Sequence, residues 1–132
     1  MSLVVLDTDA ASALVRRRDT ARVINLLAGH IAAVTFVTVG EMTKWTLVRH
    51  WGPDRRDSLQ RFLNSLVILP YDSQVAARWG QIQATAQLRG RPRPVNDSWV
   101  AACCLARDLP LITFNTKDYQ DFADHDGLTL LR

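Results

Sequence analysis

The sequence predicts an α/β fold of three layers (α/β/α), in which helices cover both faces of a central, mostly parallel sheet of roughly four to five strands. Short apolar runs typical of buried strands alternate along the chain with segments that carry helix caps and helical periodicity. Such alternation favours right-handed crossovers and therefore a parallel sheet. The chain has 132 residues and no internal repeat or long linker, so one domain over residues 1–132 is expected.

The N-terminal part is predicted to contain one strand and two helices. Residues 3–6 form an apolar run that stops at Asp7, as a strand buried on both faces does. Asp9 or Ser12 can cap a helix directly after it, because either side chain can accept a hydrogen bond from a free N–H group of the first turn. Residues 20–29 carry the threonine cap, the apolar face and the final glycine of a second helix.

The middle part is predicted to contain two strands and three helices. Residues 31–38 are rich in β-branched and aromatic side chains and are typical of a second buried strand, with a helix from about Val39. Pro53 fits the first turn of the next helix, where its missing N–H group is not needed. A short third strand is predicted over residues 67–69, before a long helix that Asp72 caps.

The C-terminal part begins with a loop. Residues 91–94 have the sequence Arg-Pro-Arg-Pro and are expected to be extended, because proline disfavours the helical conformation of the residue before it. Asn96 or Asp97 can then cap a helix. Residues 111–114 predict another strand, and residues 128–131 could add one more at the edge of the sheet.

The composition is that of a globular protein with an uneven choice of charged side chains. Hydrophobic residues make up 48% and charged residues 22%, which excludes a disordered, collagen-like or disulfide-dense chain. The acids are 12 aspartates and one glutamate, Glu41, and the bases are 14 arginines and two lysines, for a net charge of +3. Residues 44–93 hold nine basic and three acidic side chains, and such a basic region suits a partner that carries phosphates.

Membrane segments, disulfides and zinc sites have characteristic patterns that this sequence lacks. No apolar run reaches the roughly 20 residues of a membrane-spanning helix, and the N-terminal residues do not resemble a signal peptide. A cytoplasmic location with no membrane partner is therefore expected. The adjacent Cys103 and Cys104 are expected to be buried, reduced thiols, and the histidines fall at no recognised ligand spacing.

Polar side chains follow the predicted strands at the end where a parallel sheet binds ligands. Asp7 ends the first strand, Glu41 lies in the first turn of the helix after the second, and Asp97 opens a later helix. Asn115 and Asp118 follow the last long strand. If these strands are neighbours, the carboxylates converge and their repulsion must be relieved by protonation or by a cation. Oxygen ligands favour a Mg²⁺ or Mn²⁺ site, which beside a basic surface suggests phosphodiester hydrolysis by an activated water.

Two of these acids also have a purely structural interpretation. Glu41 stands three residues after Thr38, which is the spacing of a capping box. Asp97 could be only the N-cap of its helix. Glu41 is nevertheless the single glutamate of the chain, and independent caps have no reason to gather at one end of a sheet. The metal site is therefore preferred.

A second functional interpretation starts from Asp7 and Asp9. An aspartate pair after a strand resembles the haloacid-dehalogenase-like phosphatases, in which the first aspartate is the nucleophile. Those enzymes also need a downstream lysine and a late pair of acids. Only Lys44 and Lys117 are present and no adjacent acids follow Phe114, so this alternative has less support.

Four segments of the chain occur in an order and spacing typical of one family. They are residues 4–9 (VVLDTD), residues 38–41 (TVGE), residues 94–97 (PVND) before an alanine-rich helix, and residues 113–119 (TFNTKDY). None is specific alone. Together they span nearly the whole chain, which resembles the PIN-domain nucleases and, among these, the VapC toxins of bacterial type II toxin–antitoxin modules.

The resemblance implies a magnesium-dependent endoribonuclease that arrests growth by cutting RNA, and a cognate antitoxin that occupies its groove. It also implies that Asp7 and Asp97 are the central metal ligands, and that Glu41 holds a second metal or orients the attacking water. The family often has an acid just after the last long strand, where this chain has Asn115, with Asp118 three residues further on. Either residue could fill the fourth position. A homodimer is also expected from the resemblance.

Contacts with RNA are predicted for both basic and polar side chains. Arg91 and Arg93 lie in the extended loop just before the predicted metal site, so they are expected to bind the RNA backbone. Asn115 could contact the substrate, and single-stranded bases could stack on Trp45 or Trp51. Because Asn115 departs from the family pattern, a catalytically impaired protein that binds RNA or a partner without cutting remains an alternative.

Overall fold

The centre of the protein is a parallel sheet of four strands. A computed structural model describes residues 2–132, and all statements on the fold refer to them. The strands lie in the order β3-β2-β1-β4, and every neighbouring pair is parallel. Their bounds are β1 (Leu3–Leu6), β2 (Ile31–Thr35), β3 (Val67–Leu69) and β4 (Leu111–Ile112). Leu130 adds a single parallel bridge to Leu111, at the edge where a further strand was predicted.

The helices form one layer on each face of the sheet. They are α1 (Thr8–Arg16), α2 (Ala21–Leu27), α3 (Phe36–Val48), α4 (Pro53–Asn64), α5 (Ser73–Leu88), α6 (Val95–Arg107) and α7 (Thr116–Asp126). Successive side chains of a strand point to opposite faces, so Val4 and Leu6 of β1 pack against α1 to α4 while Val5 packs against α5 to α7. The predicted three-layer α/β/α class is confirmed.

Two predicted strands are shorter than expected. The strand expected over residues 31–38 ends at Thr35, because the Thr35 hydroxyl accepts a hydrogen bond from the N–H group of Thr38 at 3.4 Å and so caps α3. The helix then begins at Phe36, three residues before Val39, although its first residues have high strand propensity. Residues 113–114, expected in the last long strand, lie outside β4.

Helix capping also differs from the prediction at three helices. Thr20 lies at the predicted cap position of α2, but its side chain makes no capping hydrogen bond. Asp7, and neither Asp9 nor Ser12, caps α1, with its carboxylate accepting from the N–H group of Ala10 at 2.8 Å. The helix α6 begins at Val95, so Asp97 lies inside its first turn. The residue at the cap position is Pro94, whose backbone carbonyl accepts the first helical bond from Ser98 at 3.0 Å.

Other expectations about the elements are confirmed. Pro53 occupies the first turn of α4, the strand over residues 67–69 is present, and Asp72 caps α5 by accepting from the N–H group of Val75 at 2.9 Å. Cys103 and Cys104 are buried and free. Within residues 2–132, every helix is either too short or too polar to span a bilayer.

Candidate active site

Five carboxylates from four helical segments and one strand end face a single cleft. They belong to Asp7, Asp9, Glu41, Asp97 and Asp118. The cleft has a volume of about 120 Å³ and is completed by Thr8, Trp45, Asn115 and Tyr119. It lies beyond the carboxyl ends of β1 and β4, where an open parallel sheet binds its ligands. The structure thus brings together every acid named from the sequence as a site residue, together with Asn115.

Asp7 is placed by the abrupt end of β1. Its side chain is only 3% exposed, and it accepts hydrogen bonds from the backbone N–H group of Ala10 at 2.8 Å and from the Thr113 hydroxyl at 2.5 Å. Burial, the largest cause, and the nearby charges of Asp9 and Asp97 together raise the pKa of Asp7 to about 6, although the two hydrogen bonds oppose the rise. Because burial disfavours the ionised carboxylate, a bound cation would stabilise that ionised state strongly.

Glu41 is held by the first residue of α1 rather than by the start of its own helix. Its carboxylate accepts a hydrogen bond from the Thr8 hydroxyl at 2.7 Å, and that hydroxyl lies 2.9 Å from the hydroxyl of Thr38. Because Thr35 caps α3, Thr38 is inside the helix and Glu41 is in the second turn. The capping-box interpretation of Glu41, and its expected place in the first turn, are therefore wrong.

Asp97 reaches the cleft from the first turn of α6. It makes no N-cap hydrogen bond, so the interpretation of Asp97 as a cap is also wrong. Instead the Tyr119 hydroxyl donates to its Oδ1 at 3.3 Å. Burial raises the pKa of Asp97, and the charges of Asp118, Glu41 and Asp9 raise it further. Burial also raises the pKa of Tyr119, so its hydroxyl stays protonated and remains a donor.

The Asp9 carboxylate was not identified as a site residue from the sequence. Its Oδ2 accepts a hydrogen bond from the side-chain amide of Asn115, whose own backbone N–H group donates to the Thr113 hydroxyl at 2.9 Å. The sequence signal for Asp9 was its position two residues after Asp7, just inside a helix that begins at the sheet edge. Thr8, Thr113 and Tyr119 left no comparable signal, because only tertiary contacts aim their hydroxyls at the acids.

The donor set of the cleft fits a hard divalent cation. The five carboxylates of the cleft offer only oxygen atoms as ligands, which Mg²⁺ and similar ions prefer. Partly buried carboxylates also repel one another unless a cation or protons neutralise them. No group of three Asp, Glu, His or Cys side chains within residues 2–132 is already drawn together at metal-binding distance. Four of the five carboxylates are instead occupied by a protein donor: Asp7 by Thr113, Glu41 by Thr8, Asp9 by Asn115 and Asp97 by Tyr119.

Of the basic and aromatic residues predicted to contact RNA, only Trp45 lines the cleft. Both Arg91 and Arg93 bind Asp121 of α7, at 3.0 Å and 3.2 Å, and neither lines the cleft. Trp45 lines the cleft directly. Trp51 is only 7% exposed and lines a separate concavity beside Arg55, so the expectation that a base stacks on it is not supported.

The chain matches a family of known proteins over most of its length. The family model described as PIN domain matches residues 4–126. The chain is 26% identical over 125 residues to Ribonuclease VapC1 of Haemophilus influenzae, covering 92% of this chain and 93% of that protein. It is 31% identical over 97 residues to Ribonuclease VapC5 of Mycobacterium tuberculosis, covering 72% of this chain and 69% of that protein.

A solved structure shares the fold over almost its full length. VapBC2 from Rickettsia felis, bound to a DNA fragment from its promoter, superposes with a TM-score of 0.83 at 20% identity, over 99% of this chain and 98% of that chain. The chain therefore belongs to the PIN domain family, and within it to the VapC-type nucleases. This membership leaves the haloacid-dehalogenase interpretation of Asp7 and Asp9 without support.

Proposed function

We propose that residues 1–132 form a single metal-dependent endoribonuclease domain, which acts as the toxin of a type II toxin–antitoxin system. The observation that carries this proposal is the convergence of five carboxylates on one cleft at the ligand-binding edge of the sheet. The curated relatives are ribonucleases, which supports RNA as the substrate class. The cleft holds no histidine or cysteine, and its oxygen donors suit Mg²⁺ or Mn²⁺.

In this proposal the acids divide into ligands and an orienting group. Asp7 and Asp97, from the ends of β1 and the start of α6, would hold the cation. Glu41 would hold a second ion or accept a hydrogen bond from the attacking water, and Asp118 or Asn115 would fill the fourth position. When bound, a divalent cation supplies positive charge that stabilises the phosphate during cleavage and makes a water molecule easier to deprotonate.

The side chains around the acids would keep them aimed into the cleft. The hydroxyls of Thr113, Thr8 and Tyr119 each donate to one carboxylate, so each acid is oriented before substrate arrives. Preorganised groups of this kind need little rearrangement during the reaction. Trp45 stands one turn after Glu41 on α3, where a single-stranded base next to the scissile phosphate could stack on its ring.

Arg91 remains a candidate for binding the RNA backbone outside the cleft. Its side chain is 65% exposed, so it can contact a phosphate while it pairs with Asp121. The Arg93 side chain is 17% exposed, and its pairing with Asp121 favours a role in fixing the loop to α7. The prediction for Arg93 thus has the weaker geometric support of the two.

A cognate antitoxin is the proposed protein partner. The Rickettsia felis structure is of a VapBC complex, and a toxin of this class would be held inactive by an equivalent partner. A homodimer, expected from the family resemblance, is likewise part of the proposal. Light scattering of the purified chain, with and without its antitoxin, would measure both assemblies.

The central test is RNA cleavage by purified, antitoxin-free protein. We expect structured RNA to be cut in Mg²⁺ or Mn²⁺, to stay intact in EDTA, and to stay intact with Asp97→Asn. Asp57→Asn on α4 removes one exposed acid that does not line the cleft and is the matched control, which should cut normally. Cleavage that persists in EDTA or with Asp97→Asn would rule out the assigned metal site.

A second candidate function is RNA or partner binding without cleavage. It rests on Asn115, which stands where the family often has an acid and which donates to Asp9. RNA that binds but stays intact under every metal condition would favour this candidate over the nuclease.

A further inference from the structure

A concave, positively charged surface lies beside the catalytic cleft, between the end of α1 and the start of α4. It has a volume of about 300 Å³ and is lined by Val15, Arg16, Arg18, Trp51, Arg55 and Ser58. We refer to it as the arginine pocket. Three of its six lining residues are cationic, and none of the six is acidic. Trp51, buried from solvent, provides an apolar base beneath the Arg55 guanidinium, which lies 4.2 Å from the centre of the indole ring.

The arginines of this pocket form no close ion pair within residues 2–132, although Asp9 and Asp19 line the adjoining concavity together with Arg16 and Arg18. Among residues 2–132, the ion pairs within 4.0 Å involve Arg91, Arg93 and Arg107, and none involves the pocket arginines. Three like charges around one concavity repel one another, and an anion there would relieve that repulsion. The planar guanidinium group matches a phosphate with two parallel hydrogen bonds, and the Ser58 hydroxyl could add another donor.

A second concavity joins the arginine pocket to the catalytic cleft. It has a volume of about 580 Å³ and is lined by Asp9, Ala13, Arg16, Arg18, Asp19 and Phe114. It shares Asp9 with the cleft and shares both Arg16 and Arg18 with the arginine pocket. Asp9, Ala13 and Arg16 follow one another on α1 at four and then three residues, so they share one helix face. Arg16 comes seven positions after Asp9 on α1, a rise of about 10 Å.

The end of α1 is shaped so that two arginines line the same surface. Arg17 takes the left-handed conformation with φ of 55°, and the N–H group of Arg18 donates to the carbonyl of Ala13 at 3.0 Å. This turn reverses the chain directly after the helix. As a result Arg16 and Arg18, on either side of Arg17, border both concavities.

We propose that the arginine pocket binds a backbone phosphate of the RNA strand whose scissile bond lies at the carboxylates. This inference rests on the proposed nuclease function. The acids of the cleft repel a polyanion unless a cation neutralises them, so cationic groups outside the cleft would add to the affinity for RNA. The continuous path over Ala13 and Phe114 gives the strand a route from the acids to the arginines. That continuity favours RNA over an acidic protein segment, which would have no need to reach the cleft.

The test measures RNA binding separately from cleavage. All variants carry Asp97→Asn so that the RNA stays intact, and the probe is a fluorescein-labelled oligoribonucleotide of about twenty nucleotides, longer than a usual single-strand footprint. Arg16→Gln with Arg18→Gln is the test variant. Arg22→Gln with Arg61→Gln is the control, because it removes the same charge from exposed positions that line none of the three concavities.

Fluorescence anisotropy across a salt series gives two readouts. In the test variant, we expect the affinity to fall about tenfold and the slope of log K against log salt to become shallower by about 0.7, since one phosphate contact to a single strand contributes about 0.7. The control should change neither value appreciably. Thermal unfolding of both double variants verifies that each is folded.

Three results would overturn the proposal. Unchanged affinity and slope in the test variant would show that RNA does not bind in the pocket. Equal losses of affinity in both variants would show that the effect comes from net charge and not from the pocket. Weaker binding of the cognate antitoxin with unchanged RNA binding would assign the pocket to a protein partner. If the chain without Asp97→Asn cuts no RNA, the nuclease proposal fails, while the anisotropy still decides whether the pocket binds phosphate.

Discussion

Asp7 combines two functions that normally favour opposite charge states. As the N-cap of α1 it accepts hydrogen bonds best when ionised, yet its burial favours the neutral acid. A pKa raised to about 6 means that desolvation outweighs the hydrogen bonds from Ala10 and Thr113. A buried acid in this state is destabilising at neutral pH until a cation binds, and such compromises are common where a site is built for a ligand.

The first prediction concerns the pH dependence of stability. The pKa of Asp7 rises from 3.8 to about 6 on folding, so the folded chain binds more protons than the unfolded chain between these values. Its contribution to the free energy of unfolding therefore falls as the pH rises from about 4 to about 6. In EDTA at pH 8, the free energy of unfolding of Asp7→Asn should be about 1 to 3 kcal/mol higher than that of the unaltered chain. The difference should vanish near pH 4.

Urea unfolding of the two proteins at several pH values measures this effect. Asp72→Asn is a matched control, since it also changes an aspartate N-cap but loses the 3.0 Å bridge to Arg107. It should be no more stable than the unaltered chain at pH 8. A destabilised Asp7→Asn at pH 8 would contradict the dominance of desolvation.

The second prediction concerns Glu41, whose carboxylate is held by Thr8 and not by a helix terminus. In Glu41→Gln the amide oxygen can still accept from the Thr8 hydroxyl, but the acid is lost. RNA cleavage should fall by about a hundredfold or more, as when a residue that orients a nucleophile is removed, while the melting temperature changes little. Cleavage assays and thermal unfolding are compared with those of Asp54→Asn, which removes an exposed acid of α4. Parallel losses of activity and stability in Glu41→Gln would indicate a structural role.

At the scale of elements, both errors about the site's helices came from the same cause. The starts of α3 and α6 lie two or three residues earlier than local sequence suggested, at Phe36 and Val95. Because an α-helix turns by 100° per residue, a shift of that size moves a residue from a capping position to a side-facing one. Glu41 and Asp97 therefore lie inside their helices, beyond the cap positions, and their side chains line the cleft.

The third prediction belongs to the end of α1. Arg17 sits in the left-handed region, where a side chain costs about 1 kcal/mol and glycine costs none. Arg17→Gly should therefore raise the free energy of unfolding by about 0.5 to 1 kcal/mol, as measured by urea titration. Arg17→Ala removes the same side chain but keeps the Cβ atom, so it should give no such gain. Equal stabilities of the two variants would argue against backbone strain at Arg17.

At the scale of the whole molecule, the sheet order decides where the site forms. β1 lies between β2 and β4, so the residues that follow these three strands meet at one edge although they are far apart in sequence. The bond between Thr113 and Asp7 closes a separation of 106 residues. The site therefore depends on the complete fold and has no local precursor.

The fourth prediction uses the two cysteines as probes of global opening. Cys103 and Cys104 are both fully buried in the core on the α5 to α7 face, and burial raises the pKa of Cys103 to about 11. Their reaction with Ellman's reagent should be at least about a thousandfold slower than that of free glutathione, because it requires unfolding. In urea above the unfolding midpoint both thiols should react at the free rate. Fast reaction of the native protein would show local opening of α6.

Sequence reasoning was enough to predict the α/β class, the approximate positions of all four strands, and the polar residues of the candidate site, Asp7, Glu41, Asp97, Asn115 and Asp118. The strands follow from hydrophobic periodicity. The acid directly after β1 was noticed because burying a carboxylate is unfavourable unless it caps a helix or binds a ligand. The tertiary structure alone decided what each acid touches. Hydrogen bonds from Thr8, Thr113 and Tyr119, and the groove that runs to Arg16 and Arg55, join residues remote in sequence, and local propensity carries no information about such contacts.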